Sequence, residues 1–246
     1  MTSMTYVKYE LLRTFRNKRA FFFTLAFPLI LFLVFGLTNK NAKIDIGSGR
    51  QITFILYYMV AMAGYGAMIG ALSIGARIAA EREVGWQRQL RLTPLSPRTY
   101  FRAKVLTTYA LCLTSIAVLF VVGLLFGAHI DTVAHLFETV GLILLALLPF
   151  IGLGVAAGHL FTSDSMGPAM GGGAALFALV GGIWFPLTGA LDTIGKYTPG
   201  YWIAQASHVG IGEKPWGALG WTVEITWTVA MAAFAMWAFR RDTQRV

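Results

Sequence analysis

Apolar residues dominate this chain in long unbroken runs rather than in alternation with polar ones. Ala20–Asn39, Gln51–Ala76, Val105–Ile130, Thr139–Ser163 and Ser165–Leu191 each run for 20 to 27 residues without Lys, Arg, Asp or Glu. A helix needs about 20 apolar residues to cross a hydrocarbon core of roughly 30 Å, because each residue advances it by about 1.5 Å. A sixth run, Trp216–Phe239, is interrupted only by Glu224. The pattern predicts an all-α membrane protein forming one transmembrane domain over residues 1–246. Its six transmembrane helices are expected at 20–38, 53–76, 105–127, 139–161, 168–186 and 219–239.

The segments between these runs have their own patterns. Met4, Val7, Leu11 and Phe15 recur at three- and four-residue steps, with Arg13, Arg16 and Asn17 on another face. That spacing predicts an amphipathic interfacial helix over 4–18, leading into a retained first span. Pro28, midway along that span, removes one backbone hydrogen bond and favours a kink. Glycines at four-residue spacing, such as Gly66 and Gly70 or Gly154 and Gly158, let helices approach closely. Residues 187–215 are too apolar for an ordinary loop, yet Pro186, Pro199 and several glycines break them too often for a crossing. Short outer helices are expected there, either re-entrant or flat on the membrane.

Charge adds the topology. The chain is 57% hydrophobic and 13% charged, with mean hydropathy +0.65 and net charge +9. A soluble domain carries roughly twice that charged fraction. With the N-terminus inside, 15 Lys and Arg fall on cytoplasmic segments and five on outer ones. The positive-inside rule therefore puts both termini in the cytoplasm. The basic surplus reads as topology and anionic-lipid contact, not nucleic-acid binding. Cys112 is the only cysteine, which excludes an intramolecular disulfide and a Cys-based metal site.

The loop after the second span is the richest in signals. Residues 76–92 favour helix and carry Glu81-Arg82-Glu83, Gly85-Trp86, Arg88, Leu90 and Arg91. Thr93 precedes Pro94 and so resists the helical region, which ends the helix. Ser96 can cap the next helix, and Pro97 suits its first position. The expectation is a rigid helix and turn over 77–96, a lever continuous with the spans on either side. Trp86, exposed among charges, is a candidate anchor for a protein groove.

Glu81-Arg82-Glu83-x-Gly85, then Leu90 and Thr93-Pro94-Leu95-Ser96, with Lys104 starting the next span, resembles the cytoplasmic signature of ABC-2 type transporter permeases. Gly181-Gly182-Ile183-Trp184-Phe185-Pro186 closing span five fits the same family order, as does Pro199-Gly200-Tyr201-Trp202 before span six. The resemblance thus covers essentially the whole chain. It implies a drug-resistance-type membrane subunit of a two-component exporter, multi-pass in the bacterial cytoplasmic membrane. Such a subunit pairs with a second permease copy or homologue, as a homo- or heterodimer, and is driven by two cytoplasmic ATPase subunits that hold ATP and Mg. It also implies an ATPase contact on Glu81, Arg82, Glu83, Gly85, Trp86, Arg88, Leu90, Thr93 and Pro94. Trp86 departs from the small polar residue usual after the glycine.

The chain itself carries no phosphate-binding loop. Gly189 and Gly195-Lys196-Tyr197 have one residue too many between the glycines and lack the hydroxyl. It is therefore expected not to be an enzyme, with no cofactor or metal of its own. Phe27, Phe35, Tyr57, Met68, Phe177, Trp184 and Glu224 are candidates for lining a pathway suited to an amphipathic drug, a lipid or a lipid-linked glycan. Glu224 either lines a polar outlet or snorkels to water, and His159 is expected to make a helix-packing hydrogen bond. The alternative is an ion- or proton-coupled secondary transporter. The scarcity of buried ionisable groups speaks against it.

Overall fold

The computed structural model describes residues 3–45, 51–86, 89, 92–93, 95–130, 133–212 and 215–243. Among these, four helices are long and apolar enough to cross a membrane. They are Phe54–Glu83, Arg98–Leu125, Ala134–Leu160 and Ala218–Asp242, the second, third, fourth and sixth of the expected spans. The expected first span contains a shorter apolar helix, Phe22–Gly36. The expected fifth is an 18-residue helix, Ser163–Val180, which starts five residues early and stops before the Gly181–Pro186 turn.

The chain begins with α1 (Ser3–Arg16) and α2 (Lys18–Phe21). Two wider π-helical stretches, Phe22–Ala26 and Phe32–Gly36, then flank α3 (Phe27–Leu31). Pro28 lies between them and cannot return an N–H to the carbonyl of Thr24. Ser115 Oγ donates to that oxygen instead, at 2.7 Å, which ties the proline kink to the third span.

A hairpin follows, β1 (Lys43–Asp45) pairing antiparallel with β2 (Gln51–Thr53), with Ile44 opposite Ile52. Next come α4 (Phe54–Leu72) and α5 (Ile74–Glu83), bent at Ser73. Then follow α6 (Pro97–Leu125), α7 (Val133–Ala146) and α8 (Leu148–Leu160). The fourth span breaks at Leu147 because Pro149 sits in the first turn of α8. Finally come α9 (Ser163–Val180), α10 (Ala190–Gly195), α11 (Pro199–Val209) and α12 (Ala218–Thr243).

The core is built around α4. It is apolar on every side, and all residues from Ile55 to Met68 are buried. Such a helix has to be enclosed by others; α6, α8, α11 and the first helical segment surround it. Close approach to α8 depends on glycine. A Cβ on Gly75 would stand 2.4 Å from the Gly154 carbonyl oxygen, and one on Gly158 would stand 2.7 Å from the Gly75 oxygen. α11 is largely enclosed by the rest of the protein. Trp202, Ile203, Ala206, Ser207 and His208 are buried as it packs along α4 and α7.

Candidate coupling elbow and pathway residues

The elbow consists of the end of α5, the turn after it, and the start of α6. Ile74, Arg77, Ile78 and Glu81 recur at helical spacing and form the buried stripe of α5, so this helix continues the inward face of α4. Gly85, at φ +68°, ends the helix in a conformation that an L side chain rarely adopts. Ser96 caps α6 by accepting from the Thr99 N–H at 3.2 Å, with Pro97 in the first turn as expected.

Glu81 is wholly buried and faces the protein. Its Oε1 accepts from Arg13 at 2.6 Å and from Lys104, and its Oε2 from the Tyr100 hydroxyl at 2.7 Å. Lys104, also wholly buried, donates to Glu10 as well. Arg77 donates to the hydroxyls of Thr14, Thr107 and Thr108. One polar hub thus bolts α1, α5 and α6 together inside the inner end of the bundle. Burying charges is tolerable only where pairing and hydrogen bonds replace water; Glu10, Glu81 and Lys104 meet that condition, while Arg77 is held by hydroxyls and its Nε is buried without a partner. Tyr6 packs at its edge. Burial first, then the Glu10 and Glu81 carboxylates, push its phenol well above the ordinary tyrosine range.

Arg82 and Glu83 reach elsewhere. Arg82 donates to Asp242 at 2.6 Å and to the carbonyls of Gly158 and Phe161. Asp242 also lies 3.0 Å from His159 Nδ1, which gives that histidine a packing partner. Glu83 accepts from the Ser163 N–H at 2.7 Å, at the start of α9, where Thr162 and Ser165 form a capping box.

Among the described residues of the elbow, Val84, Trp86 and Leu92 are exposed apolar side chains, with Leu92 89% exposed, beside exposed Glu83, Gln89 and Arg98. Thr93 is exposed as well, while Arg88, Leu90 and Pro94 lie outside the described residues. The N-terminal helix is two-faced in a related way. Tyr6, Glu10 and Thr14 dock into the protein, leaving Met4, Leu12 and Phe15 exposed.

The pathway candidates do not gather in one place. Phe27 and Trp184 gather on Tyr65, with ring centroids 6.3 and 5.5 Å away, and Phe177 meets Phe150 edge to face. Tyr57 and Met68 are buried in α4, Tyr57 stacked on His208 at 4.2 Å. Phe35 is 44% exposed, against Tyr58. Glu224 is buried on the packed face of α12, and neither carboxylate oxygen has a hydrogen-bond partner.

The sequence reading did not place Glu10, Arg13, Arg77, Lys104 and Asp242 at a site. A faint signal existed for two of them. Glu10 is the one acid in a basic helix, and Lys104 borders a run of apolar residues. Among the described residues no group of His, Cys, Asp or Glu could hold a metal ion.

Long apolar helices gathered round a buried central one, with a charge-braced elbow at one end, define a multi-pass membrane protein of the transport-subunit class. The chain belongs to the ABC-2 permease family: the profile described as "ABC-2 family transporter protein" matches residues 39–240. It is similar to "Putative transport permease YvfS" of Bacillus subtilis (strain 168), 30% identical over 212 residues, which are 82% of this chain and 80% of that relative. Membership makes it the membrane permease of an ABC transporter, a subunit that works with an ATPase partner.

Proposed function

We propose that this permease forms the export pathway for an amphipathic or hydrophobic compound, such as a drug-like molecule, a lipid or a lipid-linked glycan, across the bacterial cytoplasmic membrane. Two copies, or this chain and a homologue, make the pathway, with all six expected segments in the bilayer. Two ATPase subunits hold ATP and Mg and contact the inner elbow. The observation that carries this reading is the division of labour there. Glu81 is buried and paired and Arg82 is paired with Asp242, whereas Val84, Trp86 and Leu92 are exposed beside Glu83. An exposed tryptophan flanked by aliphatic side chains suits an apolar groove on a partner. Load applied at this tip passes through α5 into α4, and through the buried hub into α1 and α6.

The tagged chain purified from native membranes should carry an ATP-hydrolysing partner, and inverted vesicles should accumulate rhodamine 6G only when ATP is present. The double change Trp86→Ala and Val84→Ser should release the ATPase. It should leave thermal stability within about 0.5 kcal/mol, the usual range for surface positions. Purification without any ATP-hydrolysing protein, or undiminished capture by the double variant, would overturn the proposal.

A further inference from the structure

Glu224 stands apart from every other buried charge described. It is 4% exposed, lies on an apolar helix, and has no hydrogen-bond partner at either oxygen. Its surroundings follow from helix geometry. At about 100° per residue, position 224 lies about 40° round the helix from Gly220 and about 60° from Trp221, one turn deeper. Helical side chains lean toward the N-terminus, which directs position 224 toward the turn that holds those two residues.

That turn is roofed by indoles. A Cβ on Gly220 would lie 2.6 Å from the Trp202 ring, so this ring occupies the space above position 220. Trp202 meets Trp216 at 6.2 Å and Trp216 meets Trp221 at 5.0 Å, both edge to face. Trp216 Nε1 is itself buried without a partner. Trp202 and Trp216 are buried, while Trp221 is 42% exposed and opens the arc to the outside.

We infer that Glu224 and the Trp202–Trp216–Trp221 arc form a binding site for an alkylammonium group carried on an apolar tail. A buried carboxylate without a counter-charge is costly, and a cation arriving from outside removes that cost. Indole faces add attraction to a cation that is weakly hydrated, which favours a substituted ammonium over a small metal ion. Trp216 Nε1 offers a donor to an oxygen on the same ligand. As a site for cargo the inference rests on the permease reading; as a binding site it does not.

The test is binding of dodecyltrimethylammonium to the whole chain in lipid nanodiscs, compared with the uncharged octaethylene glycol monododecyl ether. The cation should bind more tightly than the ether. Glu224→Gln should weaken the cation about tenfold and leave the ether unchanged, an expectation drawn from charge-assisted and cation–π contacts. Trp221→Ala, at a partly exposed position, should weaken it independently. Phosphatidylcholine and phosphatidylglycerol nanodiscs separate the sources. Weaker binding in phosphatidylcholine identifies a lipid headgroup as a competing occupant, and equal binding identifies a free amphiphile. Equal affinity for cation and ether, or an unaltered cation affinity in both variants, overturns the site. Loss of ATP-driven transport with cation binding intact would refute the permease reading and leave the site standing.

Discussion

Replacing Lys104 with methionine tests whether the inner hub holds the fold together. The stem of Lys104 is wholly buried, and methionine fills much the same space while removing the ammonium. Glu81 would keep Arg13 and the Tyr100 hydroxyl, but Glu10 would retain no side-chain partner among the described residues. Removing one member of a buried pair costs about 3–5 kcal/mol, because the remaining charge is left uncompensated. For a chain of this size each kcal/mol moves the melting point by about 2–4 °C, so the midpoint should fall by roughly 6–20 °C. Adding Glu10→Gln removes the stranded charge. The double variant should therefore recover part of the loss, with a coupling energy of about 1–3 kcal/mol. The only cysteine, Cys112, is wholly buried in the core, so reaction with a fluorogenic maleimide during heating reports opening of the bundle. A Lys104→Met variant that melts with the wild type would refute the reasoning, as would a double variant no more stable than the single one.

Two further substitutions test the core. Ser115→Ala removes the donor to the Thr24 carbonyl that Pro28 leaves without its helical partner, and should cost about 1–3 kcal/mol in the same maleimide assay; an unshifted midpoint would mean the kink needs no such support. Gly154→Val places a side chain 2.7 Å from Ile74 and 2.9 Å from the Leu72 carbonyl oxygen, and should cost about 3 kcal/mol or more. By contrast, Gly171→Ala, where a Cβ meets nothing within 4 Å, should hold or raise the midpoint by up to about 1 kcal/mol of helix propensity.

What could be seen in the sequence depended on how local each signal was. Four long spans were legible because an uncharged run of sufficient length is self-contained evidence, independent of which face meets which neighbour. The cap at Ser96 and Pro97 was legible for the same reason: its donor, Thr99, is three residues away. The hairpin over 43–53 escaped notice although Lys43-Ile44-Asp45 and Gln51-Ile52-Thr53 alternate in the manner of strands. The hub was out of reach because its bonds join residues as distant as Glu10 and Lys104, 94 positions apart. The inward direction of Glu81 had one local sign, the stripe Ile74, Arg77, Ile78, Glu81 that prolongs the buried face of α4. Reading 76–92 as one continuous lever obscured that stripe, and Gly85 divides it.

The Glu81-Arg82-Glu83 run shows why three consecutive charges on a helix cannot all serve one docking surface. Successive positions point about 100° apart, so the three side chains spread over about 200° of the helix. Here each finds a different neighbour: Glu81 faces α1 and α6, Arg82 faces α8 and α12, and Glu83 faces the start of α9. The end of α5 is thereby fixed to five helices, which rules out a lever swinging freely on its own hinge. Under the proposed contact, a push at Trp86 would shift this whole end as a block, with deformation left to the weaker points further up. Two such points lie along the chain: the bend at Ser73 between α4 and α5, and the break at Leu147 ahead of Pro149. Changes at Glu81 should accordingly act through stability, as at Lys104, whereas changes at Trp86 should act on the partner alone. That separation distinguishes a braced elbow from a charged docking patch.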